Sequence, residues 1–140
     1  METRGGAAEA GLVATFQVGP ATFGVGAEHV QEVVRPGAIT PVHRAPDFVV
    51  GIRNLRGRIV TVIDLATRLA LDPPEAAGEG RVLIVDWHGE PVGLLVDEMG
   101  DTVPVAAADV QPAPANVHGV QARHLRGVYR GPDRLVALLD

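Results

Sequence analysis

The chain contains no cysteine, no serine and no lysine. These are the residues that most often serve as covalent catalysts. Their absence leaves His, Asp, Glu, Thr and the single Tyr129 as candidates for chemistry. Without cysteine there is no disulfide and no thiolate metal site. All 12 basic residues are arginine, and the formal net charge is −5, so the basic excess a general nucleic-acid binder needs to neutralise phosphates is missing. Aromatics make up only 4%, which leaves Val, Leu, Ile and Ala to build the core. No apolar run approaches the ~18 residues needed to span a membrane. The opening METRGGAAEAG lacks the apolar stretch of a secretory signal and reads as a disordered tail over residues 1–11. These features predict a cytoplasmic protein without direct membrane insertion.

The 140 residues, 46% of them hydrophobic, suffice for one compact domain or two small subdomains sharing a core. Apolar alternation with a period of two dominates. It predicts strands over 12–18 and 22–25 around a Gly19-Pro20-Ala21 turn, and a central strand over Arg58 to Asp64. Hairpins are predicted over 81–96, turning at His88-Gly89-Glu90, and over 125–139, turning at 130–133. A further short strand is predicted over 102–105. Residues 27–34 fit either a helical turn or a strand; Asp47 is placed to cap a short helix over 48–51, and 65–71 reads as another short helix. The segment 72–80 has the composition of an exposed loop, and Gln111-Pro-Ala-Pro-Ala115 that of a stiff connector. Frequent short strands with Gly/Pro turns point to an all-β architecture of small barrels or a sandwich.

The chain also resembles itself. A shift of about 69 residues lays Phe23-Gly24-Val25 on Val92-Gly93-Leu94 and Val34 on Val103. With small gaps, Leu55-Arg56-Gly57 falls on Leu125-Arg126-Gly127, and Val62-Ile63-Asp64 on Leu138-Leu139-Asp140. Two β units follow, each too small to be stable without the other.

Catalytic and metal constellations are not evident. No GxGxxG or GxxxxGK[ST] surrounds Gly19, Gly24 and Gly26, which read as turn glycines. None of His29, His43, His88, His118 and His124 has a partner at metal-ligand spacing, so neither metal nor cofactor is expected. Asp97-Glu98 are adjacent and follow a strand end, which suits solvated or partner-facing charge better than acid–base work. The stretch GIRNLRGRIVTVIDL, residues 51–65, concentrates Arg53, Arg56 and Arg58 beside an alternating strand. Arg56-Gly57 reads as a turn displaying a guanidinium, which suits a surface ion pair or a recognition arginine.

These residues resemble a known family. Val30-Gln31-Glu32-Val33, Val50-Gly51-Ile-Arg-Asn54-Leu55-Arg56-Gly57-Arg58-Ile59-Val60, Val62-Ile63-Asp64-Leu65 and Val92-Gly93-Leu-Leu-Val96-Asp97 are similar to CheW, the coupling protein of bacterial chemotaxis. The similarity spans roughly residues 12 to 140. It implies an all-β fold of two small five-stranded SH3-like barrels with interlaced terminal strands, plus short helices. By the same analogy one subdomain takes about 22–69 plus 135–140, and the other about 12–21 plus 79–134. The resemblance implies a non-catalytic adaptor that binds the cytoplasmic tip of a methyl-accepting receptor and the regulatory domain of the histidine kinase CheA. The receptor-facing residues carry over to Val30, Glu32, Gly51, Arg56, Gly57 and Val103. A pathway unrelated to motility, or a small β-barrel enzyme using His and Asp/Glu, are the alternatives. The sequence departs from the family in ending right after the last strand and in the unusually small Gly24-Val25-Gly26-Ala27.

Overall fold

In the computed structural model, alternating apolar residues and two-residue turns build the chain from hairpins. Residues 10–71, 80–113, 116–117, 120–121, 124–131 and 134–139 are described. Strand β1 (Ala10–Val18) turns through Gly19-Pro20 into β2 (Ala21–Gly26), with Gly19 at φ +60° as the first position of a II′-type turn requires. Both readings of residues 27–34 are realised in succession: a 3₁₀ turn over Ala27–His29 leads into β3 (Val30–Val34). Strands β4 (Val49–Leu55) and β5 (Arg58–Asp64) form the next hairpin, and the four-residue α1 (Leu65–Arg68) follows. Next come β6 (Arg81–Trp87), β7 (Glu90–Val96) and β8 (Glu98–Ala106). A second 3₁₀ turn (Ala107–Asp109) precedes β9 (Val110–Gln111). The ribbon of β10 (Asn116–Val117) and β11 (Val120–Gln121), then β12 (Leu125–Arg130) and β13 (Leu135–Leu139), complete the order. The helix expected over 48–51 is instead the start of β4. The expected tail of residues 1–11 also runs too far, because Ala10 and Gly11 already pair with Ala106 and Val105. The expected loop up to residue 79, Pro114-Ala115 of the connector and Pro132-Asp133 of the last turn lie outside the described residues.

The strands form two SH3-like units, a five-stranded sheet in the order β3-β6-β7-β5-β4 and a six-stranded sheet in the order β8-β1-β2-β13-β12-β9. Two expectations are corrected here. One unit has six strands rather than five, because β9 adds to β12. The sheets also divide the chain differently from the expected partition: the last strand joins β2, and through it β1, without the strands of residues 30–64, and the 81–96 hairpin joins β3, β4 and β5. The cause is parallel pairing between the halves. Thr61, Val62 and Ile63 of β5 lie opposite Val92, Gly93 and Leu94 of β7, while Thr22, Phe23 and Gly24 of β2 lie opposite Val136, Ala137 and Leu138 of β13.

The internal repeat reappears register for register. Val13 pairs with Val103 and Val34 with Val82; both pairings carry a bulge, between Ala14 and Phe16 in one and between Val30 and Glu32 in the other. Gly51 opposite Val62 matches Gly127 opposite Leu138, again with a bulge in each. Each repeat gives its first hairpin to one barrel and its later strands to the other, so each barrel holds strands of both. One detail of the expected repeat changes: Gly127 corresponds to Gly51, so Arg126-Gly127 is strand rather than an echo of the Arg56-Gly57 turn.

Alternation sorts the apolar residues into three cores. Val60, Val62, Val82 and Ile84 fill the five-stranded barrel, and Val13, Val105, Val136 and Leu138 fill the six-stranded one. The opposite faces of the same strands meet in a shared seam, where Phe16 and Phe23 stack with ring centroids 6.2 Å apart and Leu83, Val85, Leu65 and Ala137 surround them. Strand β6 is apolar on both faces because one face lines a barrel and the other the seam. The two small residues at Gly24 and Gly93 are matched. A Cβ at either would press on barrel-lining side chains, 2.5 Å from Val13 or 2.8 Å from Val82. The chain crosses between barrels at Asp97, whose N–H donates to the Gln17 carbonyl (2.9 Å) and whose Oδ2 accepts from the Gly19 N–H (2.6 Å). Asp97 is therefore a clasp on the β1–β2 turn rather than the partner-facing charge its sequence position suggested.

Helix α1 is short because both ends are fixed by local chemistry. Asp64 caps it, its carboxylate accepting from the Ala66 N–H (3.1 Å) and the Thr67 hydroxyl (3.2 Å). At the other end the Leu71 N–H donates to Ala66 O (2.8 Å) and the Ala70 N–H to Thr67 O (3.1 Å), a Schellman closure with Ala70 held at φ +59°. Glycine takes that conformation without the Cβ penalty, so Ala70→Gly is expected to raise stability by about 1 kcal/mol. An unchanged or lowered denaturant midpoint would contradict that assignment.

Candidate functional site

The β4–β5 hairpin turns in two residues between Leu55 and Arg58. Arg56 at φ +53° and Gly57 at φ +85° are both left-handed, as an I′ turn demands. The Gly57 N–H is held by Asn54 Oδ1 (2.9 Å), which fixes the turn from within. Asn, Asp and Gly are the residues that favour these positions; arginine at the first carries a conformational cost. Its guanidinium reaches across to Glu32 on β3 and forms an ion pair through Nη2 and Oε2. The Arg56 side chain is 69% exposed and that of Glu32 30% exposed. A pair so open to solvent contributes at most about 1 kcal/mol to folding.

The three arginines of residues 51–65 thus have different work. Arg53 turns back under the loop, donating through Nη1 to the Arg35 carbonyl (2.8 Å), and is structural. Arg56 pairs with Glu32. Arg58 lies on the barrel-facing side of β5 and lines, with Arg56 and Glu32, the rim of a cavity of about 200 Å³ at the end of the five-stranded barrel. Val60, Ile84 and Pro91 contribute apolar walls. Because β5 and β7 run parallel side by side, the I′ turn at His88-Gly89 stands next to the Arg56-Gly57 turn.

Of the residues singled out from sequence, Glu32, Arg56 and Gly57 come together here. Val30 lies two residues before Glu32, opposite Val85, half-buried against the seam. Gly51 is buried, so it offers no surface; its backbone instead lets the 39–40 loop lie directly on β4. Val103 is on the other barrel, paired with Val13 and packed among its interior valines. It is the counterpart of Val34 and not part of the Arg56 cluster. Sequence reasoning missed Ile59, 58% exposed on the outer face of β5, and Trp87, 60% exposed with its ring edge-on to His88 at 4.6 Å. Alternation marked Ile59 as facing away from Val60 and Val62, but not that its own face is open. Among the described residues no group of three or more His, Asp or Glu stands where it could hold a metal ion. No helix of the described residues is long and apolar enough to cross a membrane.

Comparison with known proteins agrees with this geometry. The family model for the CheW-like domain matches residues 12–140. The chain is 30% identical to chemotaxis protein CheW of Rhizobium meliloti over 125 residues, 89% of this chain and 81% of that one. It is 31% identical to chemotaxis protein CheW of Treponema pallidum, covering 90% and 76%, and 31% identical to protein FrzA of Myxococcus xanthus, covering 89% and 79%. The crystal structure of scaffolding protein TtCheW from Thermoanaerobacter tengcongensis superposes with a TM-score of 0.87 at 27% identity, covering 94% of this chain and 89% of that one. With two interleaved SH3-like barrels and a family match from Leu12 onward, the chain belongs to the CheW-like family of chemotaxis coupling proteins.

Proposed function

We propose that this chemotaxis coupling adaptor is a cytoplasmic, non-catalytic module that joins the tip of a methyl-accepting receptor to the regulatory domain of the histidine kinase CheA. Family membership and the scaffolding role named for the structural relative support the reading. The observation that draws the receptor contact to this site is Arg56. It is a largely exposed guanidinium on a turn whose backbone would be better served by Asn or Gly, so folding alone does not account for an arginine at this position. Arg56 and Glu32 would set register and orientation, while exposed apolar side chains such as Val33 on β3 supply the packed contact. Gly51 and Gly57 serve the same surface through the backbone. Such an adaptor shifts kinase output only by binding the active and inactive assemblies with unequal affinity.

Arg56→Glu tests the assignment. Receptor-tip affinity is expected to fall by on the order of 2 kcal/mol or more, with the thermal melt nearly unchanged. A melt that collapses with the substitution would make Arg56 structural and remove the basis for the site.

A further inference from the structure

The two edges of the five-stranded sheet, β3 and β4, meet where the barrel closes, yet among the described residues no ladder joins them. The other barrel closes the same place with backbone. Gly51 and Gly127 hold equivalent positions, so Ile52 and Arg53 correspond to Val128 and Tyr129. Val128 pairs with Gln111 and Tyr129 with Val110, and Tyr129 packs among the valines of its barrel. On β4 the first of these pairs has a counterpart, Ile52 with Thr40, and the second has none among the described residues. At that second place stands Arg53, and its side chain does the joining. Nη1 donates to the Arg35 carbonyl (2.8 Å), just past the end of β3. The Pro36-Gly37 turn lies against the same guanidinium. Gly37 is at φ +60°, and a Cβ on it would stand 3.0 to 3.2 Å from Nη2, Nε and Cζ of Arg53.

We infer that Arg53 is a positioning residue for the partner contact: by fixing the end of β3 on β4 it holds Glu32 in place. This deepens the adaptor reading and rests on it. Beyond the bulge between Val30 and Glu32, β3 keeps three register pairs with β6, at Glu32, Val33 and Val34. Its other edge is anchored by side chains, Arg56 on Glu32 and Arg53 at the Arg35 carbonyl. An edge segment this short opens locally at little cost unless both edges are held. The Arg35 anchor lies three residues from Glu32, about 10 Å along the strand. Freed there, the strand end can lift from β4 and carry Glu32 away from the Arg56 turn. Arg53 thus acts through Glu32 and not by touching a partner. Gly37 belongs to the same device, since its missing Cβ leaves room for the guanidinium. The six-stranded barrel needs no such side chain because β9 closes it through the backbone.

The test uses the full chain, a recombinant receptor-tip hairpin and a CheA regulatory domain. Amide hydrogen exchange is followed in the free protein, and binding to each partner by calorimetry. Arg53→Met keeps an aliphatic stem and removes the donor. It is expected to speed exchange at Glu32 to Arg35 at least about tenfold while β5 and β13 are unchanged. Receptor-tip binding is expected to weaken about fivefold, with kinase-domain binding intact. Arg53→Lys, which restores a donor for the Arg35 carbonyl, is expected to recover most of both losses. Wild-type exchange in β3 of the Arg53→Met protein would overturn the anchor. Faster β3 exchange with undiminished receptor binding would overturn the positioning role. So would an equal loss of both partners, or exchange that speeds alike in both barrels, since Arg53 would then only stabilise the fold. A wild-type chain that binds neither partner would instead sink the adaptor reading, while the exchange result would still decide whether Arg53 anchors β3.

Discussion

Cut between its two repeats, the protein is expected to lose its fold entirely and to regain it when the pieces are mixed. Produced separately, residues 1–76 and 77–140 should show no cooperative melt; combined in equal amounts they should recover the β-sheet spectrum of the intact chain. The reason is the exchange of strands between barrels. The first fragment keeps the β1–β2 hairpin but loses β8 and β13, its neighbours on either side. It also keeps β3 but loses β6, the strand that β3 pairs with among the described residues. A lone two-stranded hairpin is marginal in water, and fragments of this size bury too little surface to compensate. The seam fails too, since Phe16 and Phe23 come from one fragment and Leu83, Val85 and Ala137 from the other. A cooperative melt from either fragment alone would contradict the exchanged architecture.

The second large effect is expected at Gly51. A Cβ there would stand 2.2 Å from the Thr40 carbonyl oxygen and 2.9 Å from Ile39 Cγ2. Thr40 and Ile52 exchange two backbone hydrogen bonds of 2.8 Å across this contact. Gly51→Ala must push the 39–40 loop off β4, losing those bonds and disturbing the packing of Ile39 and Val50 in the barrel core. We expect a loss of about 3 kcal/mol, read as a fall of about 10 °C in melting temperature for a chain of this size. Receptor binding should fall as well, because β4 carries the hairpin that presents Arg56. The two substitutions thus separate by their melts, Gly51→Ala lowering it and Arg56→Glu leaving it nearly unchanged. A Gly51→Ala protein as stable as wild type would show that the loop does not rest on β4.

The elements that the sequence revealed most clearly are those whose alternation is local and uninterrupted. Arg58 to Asp64 and the 81–96 hairpin are in place to within a residue because their strands alternate without interruption and a glycine, Gly57 or Gly89, marks the second left-handed position of each turn. β4 was hidden by its bulge: with Gly51 set out of register, Val49 to Leu55 no longer alternates, and Asp47 before Phe48 imitates a helix cap. β8 runs past its predicted limits because Gly100 argues against a strand; Pro104 is tolerated within it since, among the described residues, β8 pairs with β1 alone, at the edge of the sheet. The repeat was legible at Gly24 and Gly93, whose small size is set by the same barrel-lining contact. Which strands share a sheet was not, since that depends on pairing between residues more than a hundred positions apart, such as Phe23 with Ala137. At the site, the Arg56-Gly57 turn was readable from its dipeptide. The cavity beside it was not, because it forms where Ile84 and Pro91 from a distant hairpin meet Arg58 and Val60.

The central claim is that this chain is an adaptor holding two partners at once. Its most direct measurement is size-exclusion chromatography with light scattering on the purified chain, a receptor-tip hairpin and a CheA regulatory domain, singly and together. The account predicts one complex containing all three, which loses the receptor tip but keeps the kinase domain when Arg56→Glu replaces the wild type. A folded wild-type chain that elutes alone from both mixtures would contradict it.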